Sequence, residues 1–412
     1  QGNNNYNVYA NNYKFIRTNC RDIAIIKESL MKKIIIIFLI ILLVPCISMA
    51  QNETEEEIMQ STQEQFNISN FIKESEQYKG DFLEDVDLKD LLSEAIQGKI
   101  DNKTIYKKVL KLLGGEVTSS LKILISILVI IVIHGILKSI TDNLENNNIS
   151  QIIYFVQYIL IVTLIMSNFT DIINLVKNTA NDLVGFVNSL VPLLLTLMIY
   201  TGSITTSSII EPIIIFSINI IGNIINDILV PTMLIVVIFS VISKISERVQ
   251  IEKLSKFLKS GIIWFLGVAL TVFVGVVSLE GTLSSSVDGI TAKTAKAAVS
   301  TMIPVVGKVL GDVVDSVLGC GVILKNAVGI VGIIIVIGIC IMPIIKIATL
   351  SITYSLASAI IQPIADSKIS KLLEEMSGVF KVLLAILCSL SVMLIIGITL
   401  VIKISNSGMM YR

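Results

Sequence analysis

The chain has 412 residues, of which 53% are apolar and only 16% are charged, and its mean hydropathy is +0.82. An ordinary soluble domain is about 25% charged, so this composition excludes a soluble enzyme and a disordered protein. The 32 basic and 32 acidic residues cancel. The chain therefore lacks the excess of positive charge that would indicate nucleic-acid binding. The composition predicts an all-α, polytopic membrane protein.

The first 50 residues are predicted to lie outside the folded part of the mature protein. Residues 1–30 begin with Gln and show no apolar period, and we interpret them as upstream non-coding sequence that was read through; a genuine N-terminal extension is the alternative. Residues 31–50 have the pattern of a secretory signal peptide: Lys32 and Lys33, the aliphatic run Ile34–Val44, and Ser48 and Ala50 before a cleavage site. Cleavage before Gln51 would place the chain from that residue onward outside the cytoplasm. An uncleaved membrane anchor is the rival interpretation, because the run is short for a span.

Residues 51–116 are polar and acidic, and they predict a small helical segment outside the cytoplasm. A weak helical stripe is formed by Phe66, Ile68, Phe71 and Ile72. A clearer one, with helical spacing, is formed by Leu88, Leu91, Leu92, Ala95 and Ile96. Gly98 then predicts a helix end. The segment is too small and too charged for a catalytic domain, and it fits a surface that contacts partners.

Residues 117–412 predict the membrane domain, with about seven to ten membrane segments, some broken by Pro or re-entrant. Four runs are long enough to cross a bilayer: Leu121–Ile140, Ile152–Val176, Gly261–Leu279 and Val379–Ile402. Six are weaker: Leu183–Tyr200, Ile209–Leu229, Val230–Ser243, Val299–Cys320, Asn326–Ile345 and Ile347–Ile364. The Lys-rich loop Lys244–Ser260 predicts a cytoplasmic position by the positive-inside rule.

Two pairs of prolines suggest an internal duplication. Pro192 and Pro304 lie in similar contexts 112 residues apart, and Pro231 and Pro343 have the same separation. All four predict helix breaks. The predicted repeats are residues 183–280 and 299–402, a pattern found in transporters. Two similar proline kinks without duplication are the alternative.

Polar residues within membrane segments are costly and are treated as candidate functional residues. The first group, in Val299–Cys320, comprises Lys308, Asp312 and Asp315 with the small residues Gly307, Gly311 and Gly319. The second group comprises Asn219, Asn223 and Asn226 on one helix face. The third is a predicted loop, Glu280–Lys296. We expect these groups to line a pathway or a subunit contact. The alternative for the first is a neutralised Lys308–Asp312 pair in an amphipathic helix at the membrane interface.

Signatures of catalysis and cofactor binding are missing from the sequence. The phosphate-binding pattern G-x-x-x-x-G-K-[ST] does not occur, and one histidine cannot form H-E-x-x-H. Cys320, Cys340 and Cys388 lie in apolar segments without a C-x-x-C spacing, which favours structural thiols. We therefore predict no enzyme activity, no metal and no cofactor.

One stretch of the chain resembles a known family. It contains Asp288 to Lys296 (DGITAKTAK), Ile303 to Gly307 (IPVVG), Asp312, Asp315, Cys320, Lys325, Asn326 and Gly329. The stretch resembles the stage III sporulation protein AE family of endospore-forming Firmicutes, and the likeness extends over Met31–Arg412. The resemblance implies a multi-pass protein of the mother-cell membrane around the engulfed forespore. It also implies partners: the other stage III A sporulation membrane proteins and a forespore-side protein, together in a channel or feeding complex.

Three hypotheses of function remain open at this point. The first is a membrane subunit of that transenvelope complex, needed for late forespore development, with the lipid bilayer and proteins as partners and no nucleic acid. The second is a stand-alone secondary transporter or permease, which the repeat and the broken polar helices favour. The third is an intramembrane enzyme, which the missing catalytic motifs disfavour.

Overall fold

A computed structural model describes residues 68–99, 102–142, 147–245, 251–302, 306–363 and 367–410. These residues form helices and their connections, and no strand occurs among them. The elements are α1 Ile68–Glu76, a 3₁₀ turn Asp81–Leu83, α2 Leu88–Gln97, α3 Asn102–Asp142, α4 Asn147–Tyr200, α5 Ile204–Ile224, a π-helical segment Ile225–Leu229, α6 Val230–Ile245, α7 Glu252–Met302, α8 Val306–Ile361 and α9 Ser367–Met410.

The N-terminal hairpin, defined as residues 68–99, contains the two helices that apolar spacing predicts. Its apolar stripes face inward, and the buried members are Ile68, Phe71, Ile72, Leu88, Leu91, Leu92 and Ala95. Asp87 caps the start of α2 by accepting a hydrogen bond from the backbone N–H of Lys89 at 2.8 Å. Gly98 ends α2 with a φ of 68°, a left-handed conformation that favours glycine.

Among the described residues, six helices are long and apolar enough to cross a membrane, so the protein is a multi-pass membrane protein. The candidate spans are Lys111–Ile133, Phe155–Tyr200, Ile204–Lys244, Glu252–Asp288, Val317–Ile361 and Ser367–Lys403. The expected range of seven to ten is approximate, and in the described part of the chain several predicted segments join into single long helices. Pro192 lies inside α4 and Pro343 lies inside α8, and neither divides its helix.

The π-helical segment explains how α5 continues past Pro231. Proline has no backbone N–H and crowds the preceding turn. In the π-helical segment the N–H of Val230 donates to the carbonyl of Ile225, five residues back, so the helix widens just before Pro231. The element α5–π–α6 is therefore one membrane-crossing rod, although the sequence divides it at Val230.

The order of the helices around the bundle is given by their contacts. The pair α8–α9 forms the centre of the packing. Helix α4 packs on α8, with α3 on one side of it and α5 on the other. Helix α7 contacts α5, α6 and α9. The exposed side of α4 therefore lies between α3 and α5–α6.

One end of the bundle is marked by Asp288. Its two carboxylate oxygens accept hydrogen bonds from the backbone N–H groups of Thr205 and Thr206, each at 2.9 Å. A carboxylate from α7 thereby caps the start of α5, where the helix dipole favours negative charge. Asp288 is itself buried.

The opposite end is marked by a buried ion cluster. The ammonium of Lys244 lies 2.8 Å from Glu375 and 3.0 Å from Glu252, and so joins α6, α9 and α7. Lys256 pairs with Glu252 at 2.6 Å on the surface. The two ends are about 60 Å apart at 1.5 Å per residue, twice the hydrocarbon thickness of about 30 Å.

The structure corrects three segment boundaries. The predicted loop Glu280–Lys296 is helical and belongs to α7. The predicted loop Lys244–Ser260 is mostly helical too, since α6 extends to Ile245 and α7 begins at Glu252; residues 246–250 lie outside the described residues. The segment Val299–Cys320 is not one helix, because α7 ends at Met302 and α8 begins at Val306.

Several other predictions concern residues that the structure does not describe. Residues 1–30, the signal peptide at 31–50, residues 51–67 and Pro304 lie outside the described residues. The internal duplication stays a prediction. It would match α5–α6 with α8, and α7 with α9. In each half the first helix runs toward the Lys244 end and the second runs away from it, so the two halves would be parallel.

Candidate polar face at membrane depth

A row of polar side chains occupies the exposed side of the middle part of α4, from Ser167 to Asn188. The exposed members, here named the α4 polar stripe, are Ser167, Thr170, Asp171, Asn174, Asn178, Asn181, Asp182 and Asn188. Up to Asp182 they recur at intervals of three and four residues, and Asn188 lies seven residues after Asn181, so they share one side of the helix. The stripe is about 32 Å long at 1.5 Å per residue, close to the hydrocarbon thickness of about 30 Å.

Two of the asparagines predicted on α5–π hold this helix against α4. The side chains of Asn188 and Asn219 bond to each other twice, at 3.0 and 3.3 Å. Asn226 donates to the side-chain oxygen of Asn181 at 2.6 Å. Asn223, the third member of the predicted group, is exposed. The group Asn219, Asn223 and Asn226 therefore lies beside the α4 polar stripe and continues its surface.

The part of the stripe nearest the Asp288 end lies at the same height as an apolar surface on the other side of α5. Asn219 and Asn226 are 14 and 21 residues from Thr205, the capped start of α5. On the antiparallel α7, Val272 and Val268 are 16 and 20 residues before Asp288, and they are 57% and 41% exposed. At this height the bundle therefore has one apolar side, suited to lipid, and one polar side.

The polar side also carries charge. Asp171 and Asp182 are exposed on α4, and Asp227 is exposed beside Asn226, whereas Lys177 is half-buried. A charge at the centre of a bilayer costs about 2.5–3.5 kcal/mol on insertion scales. The polar side therefore requires water or protein in front of it, and its exposed charges are mainly negative.

The N-terminal hairpin borders the part of the stripe nearest the Asp288 end. Glu74 accepts a hydrogen bond from the hydroxyl of Ser189 at 2.7 Å. The ring of Tyr78 lies directly over Gly185 and meets the ring of Phe186 edge-on, with centroids 6.0 Å apart. These contacts place a segment with many exposed charges next to the stripe.

A second glycine contact seats the turn of the hairpin on α8. Gly80 has a φ of 61°, and a β-carbon placed on it would lie 3.1 Å from the carbonyl oxygen of Gly338. A β-carbon on Gly338 would lie 2.6 Å from the Leu83 side chain. The backbones therefore approach closely only because both positions are glycine. Since its outer side is charged, the hairpin requires water or protein in front of it, as the stripe does.

The other predicted site residues are not brought to this face by any described contact. Lys308, Asp312, Asp315, Gly307 and Gly311 fall in the first turns of α8, and their side chains lie outside those that the structure describes. Gly319 is described, and a β-carbon there would meet open space. The proposed role of this group therefore stays a prediction.

Described residues supply no group of three or more His, Cys, Asp or Glu side chains able to hold a metal ion. Cys340 and Cys388 lie in α8 and α9, and the thiol of Cys340 accepts a hydrogen bond from Ser391 at 2.8 Å. That bond links α8 to α9 and fits the structural role expected for these thiols.

The α4 polar stripe is the main feature that sequence reasoning missed. Its residues fall in two predicted spans and the polar stretch between them, and none of the three pieces shows the whole row. The signal was present, because polar residues recur every three or four positions across all three pieces. It becomes visible only when α4 is treated as one helix.

Comparison with known proteins identifies a family for most of the chain. The sequence profile of the family described as Stage III sporulation protein AE matches residues 86–405. The protein of that name from Bacillus subtilis (strain 168) is 30% identical over 306 residues, which cover 74% of this chain and 77% of that protein. No solved structure matches the chain. The chain belongs to the stage III sporulation protein AE family.

Proposed function

We propose that the protein is a membrane subunit of a transenvelope channel or feeding complex, in the mother-cell membrane around the engulfed forespore. Its α4 polar stripe would line an aqueous path through that membrane. The observation that carries this proposal is the polar side of the bundle at the height of the exposed apolar side of α7. Family membership supports the sporulation context. In this role the protein has no catalytic activity of its own.

The orientation in the membrane can be deduced from the chain order under this proposal. Three crossing elements, α3, α4 and α5–α6, separate the N-terminal hairpin from the Lys244 end. An odd number of crossings places them on opposite sides. With the basic Lys244 end in the mother-cell cytoplasm, the Asp288 end faces the forespore. The other stage III A proteins and the forespore-side partner would bind there.

The test is complementation of a deletion in the spore-forming source organism. The deletion should arrest development after engulfment, with forespores that shrink, and the wild-type chain should restore sporulation. The double variant Asn174→Leu and Asn178→Leu should insert normally, because leucine favours insertion, yet fail to restore sporulation. Its control is Val268→Leu with Val272→Leu, on the exposed apolar side of α7, which should complement fully. Normal sporulation of the stripe variant, or of the deletion strain, contradicts the proposal.

A stand-alone secondary transporter is the second candidate, and the π-helical segment favours it. A widened turn at Ile225–Leu229, next to Asn226, is the kind of helix interruption at which transporters bind substrates. Purified protein in liposomes distinguishes the two candidates. Saturable uptake of one solute by the chain alone supports the transporter, and its absence with a sporulation defect supports the complex subunit.

A further inference from the structure

One copy of the chain supplies only one wall of an aqueous path. The α4 polar stripe is exposed over the whole of its length in the described part of the chain. It forms the floor of a surface bounded by α3 on one side and α5–α6 on the other. Water in the bilayer must be enclosed on all sides by protein, so a second wall has to come from another chain.

The two surfaces beside the stripe are apolar and different from each other. On α3 the exposed side chains include Val117, Leu121 and Ile125. On α6 they include Ile235 and Ile238. Contact between two different surfaces of identical chains is head-to-tail, and it produces a ring when the rotation closes.

The heights of these two surfaces match. Leu121 lies 21 residues before the end of α3, and Asn168 lies 21 residues after the start of the antiparallel α4. Ile235 lies nine residues beyond Asn226, which bonds to Asn181, so it lies close to residue 172 of α4. The apolar surfaces of α3 and α6 therefore lie at the height of the part of the stripe nearest the Lys244 end.

We propose that several copies of this chain form a ring in which the α3 surface of one copy contacts the α6 surface of the next. The α4 polar stripes then face a water-filled lumen. The negative charges support a lumen over a tight contact between stripes, because Asp171 and Asp182 of facing copies repel each other unless water separates them. This inference rests on the proposed function and adds its partner, a further copy of the same chain.

The test uses the full chain expressed without any other sporulation protein, with all five cysteines replaced by alanine. Two variants each carry a cysteine pair at matching height, Leu121→Cys with Ile238→Cys and Val117→Cys with Ile235→Cys. Isolated membranes are treated with a short bismaleimide linker and separated by size under denaturing conditions. Each pair should give a ladder of dimer, trimer and larger species that stops at one limiting size.

The controls separate a ring from other assemblies. Each of the four single-cysteine variants should stay monomeric, because in a ring each surface meets its counterpart and not itself. Leu121→Cys with Trp264→Cys should stay monomeric too, since Trp264 is 70% exposed on the lipid side of α7.

Two results overturn the ring. If both pairs stay monomeric in chains that have inserted, another protein supplies the second wall. If single cysteines give dimers, the copies meet face to face. Either result leaves the sporulation phenotype of the deletion strain unchanged, so a failure of the ring is distinguishable from a failure of the proposed function.

Discussion

Asn188 of α4 and Asn219 of α5 exchange two side-chain hydrogen bonds, in which each amide donates to the oxygen of the other. Asn219 also donates to the carbonyl of Ile215 in its own helix at 2.8 Å. Together with the bond from Asn226 to Asn181, this pair fixes α5 beside the polar stripe. Asn219 and Asn226 therefore position this helix against α4, whereas Asn223 is exposed.

The reciprocal pair should show a measurable coupling. Asn188→Ala, Asn219→Ala and the double variant form a double-mutant cycle, scored by the free energy of unfolding in detergent. Hydrogen bonds between membrane helices have coupling energies of about 0.6 kcal/mol on average and about 1.7 at most, and two bonds favour the upper half of that range. Asn223→Ala is the control, with an expected change within about 0.5 kcal/mol. Additive effects of the two single variants would contradict the pairing.

Docking of the N-terminal hairpin depends on the absence of a side chain at Gly185. An added β-carbon would lie 2.8 Å from the hydroxyl oxygen of Tyr78, so Gly185→Ala should destabilise the chain by about 1–3 kcal/mol. In a Tyr78→Ala background the same change should cost nothing, because the clashing ring is gone. Gly261→Ala is the matched control, since a β-carbon there meets open space. A cost for Gly185→Ala that persists without the Tyr78 ring would contradict this contact.

Much of the local structure could be predicted from the sequence, and the reasons are visible in particular residues. Apolar spacing identifies α2, and Gly98 marks its end because the backbone there is left-handed. Proline misled the count of spans, since a kinked helix and two separate helices give the same hydropathy profile at Pro192. Pairings such as Asp288 with Thr205 join residues 83 positions apart, and a single sequence contains no signal for such a contact.

The proposed orientation predicts which positions a membrane-impermeant thiol reagent reaches. Ser93 is exposed in the N-terminal hairpin, and Lys253 is exposed at the start of α7. In the cysteine-free chain, Ser93→Cys should react in intact cells, and Lys253→Cys should react only after the membrane is permeabilised. Labelling of Lys253→Cys in intact cells would invert the topology.

The negative charge of the stripe should select among small thiol reagents. Cysteine at Asn178 lies between Asp171 and Asp182 on the same side of α4. A cationic methanethiosulfonate should react faster there than an anionic one, after each rate is divided by its rate with a free thiol. A potential of about one kT changes this ratio about sevenfold, because the reagents differ by two charges.

Two comparisons check that the reagent selectivity has an electrostatic origin. Added salt should reduce the ratio by screening exposed charges. Val272→Cys on the apolar side of α7 should react slowly with both reagents, because each is charged and the site faces lipid. A ratio near one at Asn178→Cys, or equal rates at the two positions, would show that the stripe does not face water.

The ion cluster at the Lys244 end should contribute strongly to stability, and its surface extension should contribute little. The side chains of Lys244 and Glu375 are only 7% and 11% exposed, and the second oxygen of Glu375 is buried without a hydrogen-bond partner. Lys244→Met leaves that carboxylate without its cation, which should cost about 3–5 kcal/mol of unfolding free energy. Adding Glu375→Gln should recover most of the loss, because the uncompensated charge is then removed.

Lys256 supplies the matched control for the cluster. It contacts the same Glu252, but its side chain is 64% exposed, so Lys256→Met should cost at most about 1 kcal/mol. Unfolding in detergent, measured for the three variants under one condition, decides between these expectations. Equal costs for Lys244→Met and Lys256→Met would mean that water reaches the whole cluster. The joint between α6, α7 and α9 would then depend on apolar packing alone.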